Sequence, residues 1–237
     1  MPEWIDSIEA ARLIPDGATI MVGGFMGCGS PHKILTALAE LKTGNLTIIC
    51  NDAGMPNGPD GCDYYGVAKL VHNKQVKKLI ATHVGLNPEV AQQLNEGSLE
   101  LVLVPQGSLV EMIRAGGAGL GGVLTPTGFG TDVEKADFVH SRVNIDGKDY
   151  LLKRPLRADF ALINGHTIDR SGNIWYKGTT RNFNIVMATA ADTVIAEADN
   201  IAEIGEIIPE NVMTSSVFID YAVEAYRNEV SSEKAHG

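Results

Sequence analysis

Asp16-Gly17-Ala18-Thr19-Ile20-Met21-Val22-Gly23-Gly24-Phe25-Met26-Gly27-Cys28-Gly29-Ser30-Pro31 is the stretch whose reading decides the fold. Asp16-Gly17 signals a turn. Residues 19–22 are apolar and partly β-branched, which predicts a short buried strand. Four glycines follow within residues 23–29, and then Ser30, Pro31 and apolar residues Ile34, Leu35, Leu38 and Leu41 at helical spacing. Ser30 reads as an N-cap and Pro31 as the first helical position, where a missing N–H costs nothing. The stretch is therefore a strand, a glycine loop and a helix start. Such a loop lets backbone approach a ligand closely, and the free N–H groups of a helix start favour an anion. The bland reading is a tight turn with no ligand.

Composition narrows the class. The 237 residues are 44% hydrophobic and 20% charged, which suits one large α/β domain, read as a single unit over 1–237 with a frayed tail at about 228–237. With 19 basic and 29 acidic residues the formal charge is −10, which argues against nucleic acid as a partner. No apolar run approaches the roughly 20 residues of a membrane span. The acidic N-terminus has no signal-peptide core, so no membrane partner is expected and the location is read as cytoplasmic. Cys28, Cys50 and Cys62 form no C-x-x-C pair and read as reduced thiols. The six histidines show no metal-ligand spacing, so no metal is expected.

Outward from the loop, strand and helix alternate. Residues 46–50 predict a second strand, ending at Asn51-Asp52-Ala53-Gly54. Residues 54–63, rich in glycine and proline, are a loop. A helix at 67–71, a strand in the stretch 74–81, a helix from Asn87-Pro88 to about Asn95 and a strand at 99–104 follow. Ser108 to Glu111 reads as a capping box, with the helix ending at Arg114 or Ala115. This alternation predicts an open, mainly parallel sheet with covering helices. Five of the seven residues 116–122 are glycine. Density of that kind costs folding entropy, so a purely linking role is a poor explanation; binding or catalytic support is preferred to tight bends or close backbone packing. Residues 143–152 alternate around Asp146-Gly147 and predict a hairpin added in the C-terminal half. Short strands are expected at 159–163 and 193–195, a short helix at 185–191, and a strand or helix at 217–226.

The opening string resembles the first signature of the family I coenzyme A transferases. Six further segments are similar to that family. They are Asn51-Asp52-Ala53-Gly54, Leu103-Val104-Pro105-Gln106-Gly107-Ser108-Leu109 (Ser108 for the usual Thr), 113–119, Thr125-Pro126-Thr127-Gly128, Leu156-Arg157-Ala158-Asp159 and Arg181-Asn182-Phe183-Asn184. The likeness runs from about Ile5 to about Tyr221, is strongest to the alpha subunit of bacterial acetate or acetoacetate (short-chain fatty acid) enzymes, and is weaker over 134–142. It implies a Rossmann-like coenzyme A transferase fold and movement of coenzyme A between short-chain acyl-CoA, or 3-oxoacyl-CoA, and a free carboxylate such as acetate. Coenzyme A is then a substrate, and no cofactor is permanently bound.

The chemistry implied is covalent catalysis by a glutamate. In the family that glutamate sits in a Ser-Glu-Asn-Gly motif of the beta part, and this chain has none. Asn95-Glu96-Gly97 and Pro209-Glu210-Asn211 lack its context. The resemblance therefore implies a beta subunit partner, in a heterodimer or heterotetramer. It assigns Gly23, Gly24, Phe25, Met26, Gly27, Cys28 and Gly29 to the coenzyme A site, with the N–H groups of Gly23, Gly24 and Phe25 as oxyanion donors. Asn51 and Gln106 at strand ends are candidates for holding a substrate carboxylate or carbonyl, because an amide donates without adding charge. Gly116 and Gly117 complete the substrate-binding set. Two rival classes are a non-catalytic binding protein of the same fold and a nicotinamide-dinucleotide oxidoreductase of Rossmann type, with Asp52 near the end of the second strand. The glycines do not fit G-x-G-x-x-G, which weighs against the oxidoreductase.

Overall fold

Apolar runs become strands and the amphipathic segments between them become helices in a computed structural model that describes residues 1–59 and 61–225. In chain order these are β1 (Glu3–Trp4), α1 (Ser7–Arg12), β2 (Thr19–Val22), α2 (His32–Leu41) and β3 (Leu46–Cys50). A short pair, β4 (Met55–Pro56) and β5 (Tyr64–Tyr65), precedes α3 (Ala68–His72), β6 (Val76–Ala81), α4 (Pro88–Asn95) and β7 (Glu100–Leu103). Then come α5 (Gln106–Gly117), β8 (Val123–Thr125), β9 (Val139–Ile145) and β10 (Lys148–Lys153). The last are β11 (Ala158–Asp169), β12 (Ile174–Trp175), α6 (Asn184–Met187), β13 (Ala191–Ala202) and β14 (Tyr221–Glu224).

The main sheet has the order β1-β14-β13-β11-β2-β3-β6-β7, with every neighbouring pair parallel and β12 antiparallel on β11. β2 thus lies inside the sheet, and its alternation feeds two cores. Ile20 and Val22 pack with Ala10, Leu35, Leu38, Leu70 and Val90 beneath α1–α4. Met21 packs with Leu109, Met112, Ile113, Val186 and Met187 beneath α5 and α6. Each fully buried Leu, Ile or Met contributes roughly 1.5–3 kcal/mol. A second sheet, β8-β10-β9, is antiparallel. Its hairpin turns at Asp146 (φ 52) and Gly147 (φ 80), the two left-handed residues that a tight two-residue turn requires.

The open, mainly parallel sheet, its covering helices and the added C-terminal hairpin agree with the sequence reading. Several local readings are corrected. α2 starts at His32, with Pro31 as N-cap and no side-chain cap; the Ser30 hydroxyl donates instead to the Gly23 carbonyl at 3.0 Å. α5 starts at Gln106 and runs through Gly117, so Ser108 is a buried first-turn residue and not a cap. Its hydroxyl accepts from the buried Lys153 ammonium at 2.7 Å. β11 and β13 are 12 residues each, far longer than predicted, and α6 is shorter. The tail expected at 228–237 lies outside the described residues.

Candidate functional site at the glycine loop

Because β2, β3, β6 and β7 are parallel, their carboxyl ends emerge on one edge. That edge carries the 23–30 loop, Asn51-Asp52, Thr82-His83 and Gln106. The loop is held from several sides. Phe25 and Cys28 exchange backbone hydrogen bonds of 3.0 and 2.9 Å. The Met26 N–H donates to Asp52 Oδ2 at 2.7 Å. Asn182 Nδ2 donates to the Cys28 carbonyl and Asn184 Nδ2 to the Gly29 carbonyl, both at 2.9 Å. The glycines permit this closeness. A Cβ on Gly23 would lie 1.7 Å from Asn184 Oδ1, and one on Gly27 1.8 Å from the Tyr65 ring. Met26 sits at φ 50, an uncommon conformation for a side-chain-bearing residue. At the tip, Phe25 and Met26 are 38% and 39% exposed.

Asp52, 6% exposed, is a structural hub. Besides Met26 it accepts from the Gly54 N–H at 2.9 Å and from Asn51 Nδ2 at 3.2 Å. With both oxygens engaged it is not presented to a ribose, which removes the residue the dinucleotide reading depended on. Asn51 is fully buried, and its Oδ1 accepts from Gln106 Nε2 at 2.7 Å. Gln106 is exposed. One amide hydrogen is spent on Asn51; the other and the carbonyl remain for a ligand. Asn51 therefore aims Gln106. Cys50 is buried and its thiol is pushed well above the ordinary range by burial and then by the Asp52 charge, so it is no nucleophile.

Three expectations are corrected here. The N–H groups expected to serve an oxyanion are engaged within the chain: Gly23 to the Leu162 carbonyl at 2.9 Å, Gly24 to Asn182 Oδ1 at 3.1 Å, and Phe25 to Cys28. The anion at the helix start is also internal. Glu197 of β13 accepts from the Lys33 and Ile34 N–H groups at 3.1 and 2.9 Å. Gly116 and Gly117 are not brought to the site either. They close the last turn of α5, about 16 Å along the helix from Gln106 at ~1.5 Å per residue. Packing explains them: added Cβ atoms would lie 1.8 Å from the Leu156 carbonyl oxygen and 2.2 Å from Thr189 Oγ1. Sequence reasoning missed Ser30, Asn182, Asn184 and Glu197. Ser30 stood in the opening string and was read as a cap, Asn182 and Asn184 stood in the Arg181-Asn182-Phe183-Asn184 segment, and Glu197 had no signal.

An open parallel sheet with a braced glycine loop and an aimed amide at its carboxyl ends defines an α/β protein of the class that places ligands at the strand ends. The profile described as coenzyme A transferase matches residues 5–225, and the chain belongs to that family. It is 51% identical over 209 residues to the acetoacetyl-CoA:acetate/butyrate CoA transferase alpha subunit of Clostridium acetobutylicum, covering 88% of this chain and 91% of that one. It is 45% identical over 215 residues to the acetate CoA-transferase subunit alpha of Escherichia coli, covering 91% and 93%. Among solved structures, an acyl-CoA transferase from E. coli O157:H7, a thioester complex with CoA, superposes with a TM-score of 0.82 at 23% identity, over 94% of this chain and 47% of that one. This chain thus spans about half the length of that enzyme. Glutaconate coenzyme A-transferase from Acidaminococcus fermentans superposes with a TM-score of 0.78 at 16% identity, over 94% and 75%. The family match replaces the oxidoreductase reading. Among the described residues no helix is long and apolar enough to cross a membrane.

Proposed function

We propose that this chain is the alpha subunit of a coenzyme A transferase and works with a beta chain that supplies the attacking glutamate. The single observation that carries the reading is a braced loop whose buried neighbouring carboxylates, among the described residues, are both engaged within the chain. Asp52 is bonded to three donors and both Glu197 oxygens accept helix N–H groups. Glu96 lies at the opposite edge of the sheet, before β7, and pairs with Lys74 at 3.2 Å. The alpha-subunit names of the relatives agree with this division of labour.

In the proposed reaction the partner's glutamate carboxylate attacks the acyl-CoA thioester carbonyl. The C–S bond breaks, giving an acyl-glutamyl anhydride and coenzyme A thiolate. The thiolate attacks the glutamyl carbonyl, releasing the first carboxylate and leaving a glutamyl-CoA thioester. An incoming acid such as acetate reverses these steps. This chain contributes the wall. Phe25 and Met26 cover the coenzyme A thiol arm, residues 23–29 set its approach, and the free amide hydrogen of Gln106 donates to the acyl oxygen. Substrates are short-chain acyl-CoA or 3-oxoacyl-CoA and a carboxylate. Purified chain, beta chain and their mixture are each given acetoacetyl-CoA and acetate, with acetyl-CoA read by chromatography. Transfer by the mixture alone is expected; nicotinamide binding with no transfer by the mixture would overturn the reading.

A further inference from the structure

Glu197 is the one glutamate buried among the described residues, at 3% exposure, and it sits on β13, two strands from the glycine loop. Its carboxylate reaches the first turn of α2 and takes two of the N–H groups that a helix start leaves without partners. A helix N-terminus carries partial positive charge, so a carboxylate there is held by charge as well as by hydrogen bonds. The loop is joined to that turn through Ser30 and Pro31. The same part of β11 and β13 grips the loop by a second route. Asn164 Nδ2 donates to the Glu197 carbonyl at 3.3 Å, the Asn164 N–H donates to Asn184 Oδ1 at 3.2 Å, and Asn184 holds the Gly29 carbonyl.

We propose that Glu197 is a positioning residue, whose ionised carboxylate occupies the anion site at the start of α2 and thereby fixes the 23–30 loop for coenzyme A. The inference rests on the coenzyme A reading above. Two consequences follow. The phosphates of coenzyme A are bound elsewhere than at this helix start. The loop's setting also depends on the protonation of Glu197, because a neutral carboxyl accepts well through only one oxygen. Burial, partly offset by the two N–H bonds, raises this carboxyl to about 7. Asp199 on the same strand pushes in the same direction and Lys33 opposes it. A cleft of about 520 Å³ adjoins Glu197, and the other ionisable groups that line it are His32 and Glu40 of α2, Tyr65 of β5 and Lys69 of α3. Lys33 Nζ is directed at the Glu224 carbonyl of β14, at 2.9 Å.

The test uses the complex with its beta chain, as wild type and Glu197→Gln. Hydrogen-exchange protection of residues 24–30, corrected for intrinsic rates, is measured at pH 6 and pH 8, alongside kcat/KM for acyl-CoA from pH 5.5 to 8.5. Wild-type protection is expected to rise between pH 6 and 8, while the variant stays low at both. The variant is expected to lose about tenfold in kcat/KM for acyl-CoA at pH 8, together with the acid limb near pH 7, at an unchanged KM for acetate. Unchanged loop protection in the variant, or a wild-type acid limb retained by it, overturns the proposal even if the melting temperature falls. If the variant does not fold, the wild-type protection titration decides alone. Loop protection behaving as expected in a complex that transfers no coenzyme A would overturn the functional reading instead.

Discussion

At the scale of single residues, the candidate site separates exposed side chains from buried ones that hold them in place. Gln106 is exposed while its anchor Asn51 is fully buried. Gln106→Ala is expected to lower kcat of the complex by on the order of 10²-fold, as loss of a preorganised donor does, with little change in melting temperature. Asn51→Ala is expected to lose comparable activity and also about 1–3 kcal/mol of stability, because it leaves buried partners unpaired. Paired kinetics and thermal melts distinguish the two. Gly27 tests the loop's tightness. At φ 76, with the Tyr65 ring where a Cβ would go, Gly27→Ala is expected to cost about 3 kcal/mol in denaturant unfolding.

At the scale of elements, the helix start of α2 shows how a local pattern is overruled by tertiary structure. Folded Glu197 keeps its proton to about pH 7, against an ordinary 4.5. Between these values the folded chain binds more protons than the unfolded one, so this group's contribution to stability falls as pH rises. The melting temperature of wild type minus that of Glu197→Gln is therefore expected to drop by about 5 °C from pH 5 to pH 8. Periodic apolar runs were legible: 19–22 and 46–50 became β2 and β3 at the expected bounds, and the stretch 74–81 became β6, which starts at Val76. Local polar motifs were not. Ser30 and Ser108 have the chemistry of caps, yet Gly23 and Lys153 claim their hydroxyls across the fold. β11 and β13 outran their signals because Asn164, Gly165, Glu197 and Asp199 interrupt the apolar pattern while their bonds are made between strands and to α2. The glycines at 116 and 117 announced close approach correctly, but nothing in one sequence says whether the neighbour is a ligand or, as here, the chain at Leu156 and Thr189.

At the scale of the whole molecule, the fold accounts for the proposed receiving surface, with no free buried carboxylate beside it among the described residues. The parallel sheet gathers the glycine loop, Asn51 and Gln106 on one edge, and the buried carboxylates near them, Asp52 and Glu197, are consumed in holding the loop. The proposed second chain fits this arrangement, and the relatives are named as alpha subunits. The most direct measurement incubates the complex with acyl-CoA, traps the covalent thioester by hydroxylamine or borohydride, and locates the modified residue by peptide mass spectrometry. Modification of a beta-chain glutamate, with this chain unmodified and inactive alone, is the predicted result. A trapped glutamate on this chain, or full transfer by it without the beta chain, would contradict the division of the active site between two chains.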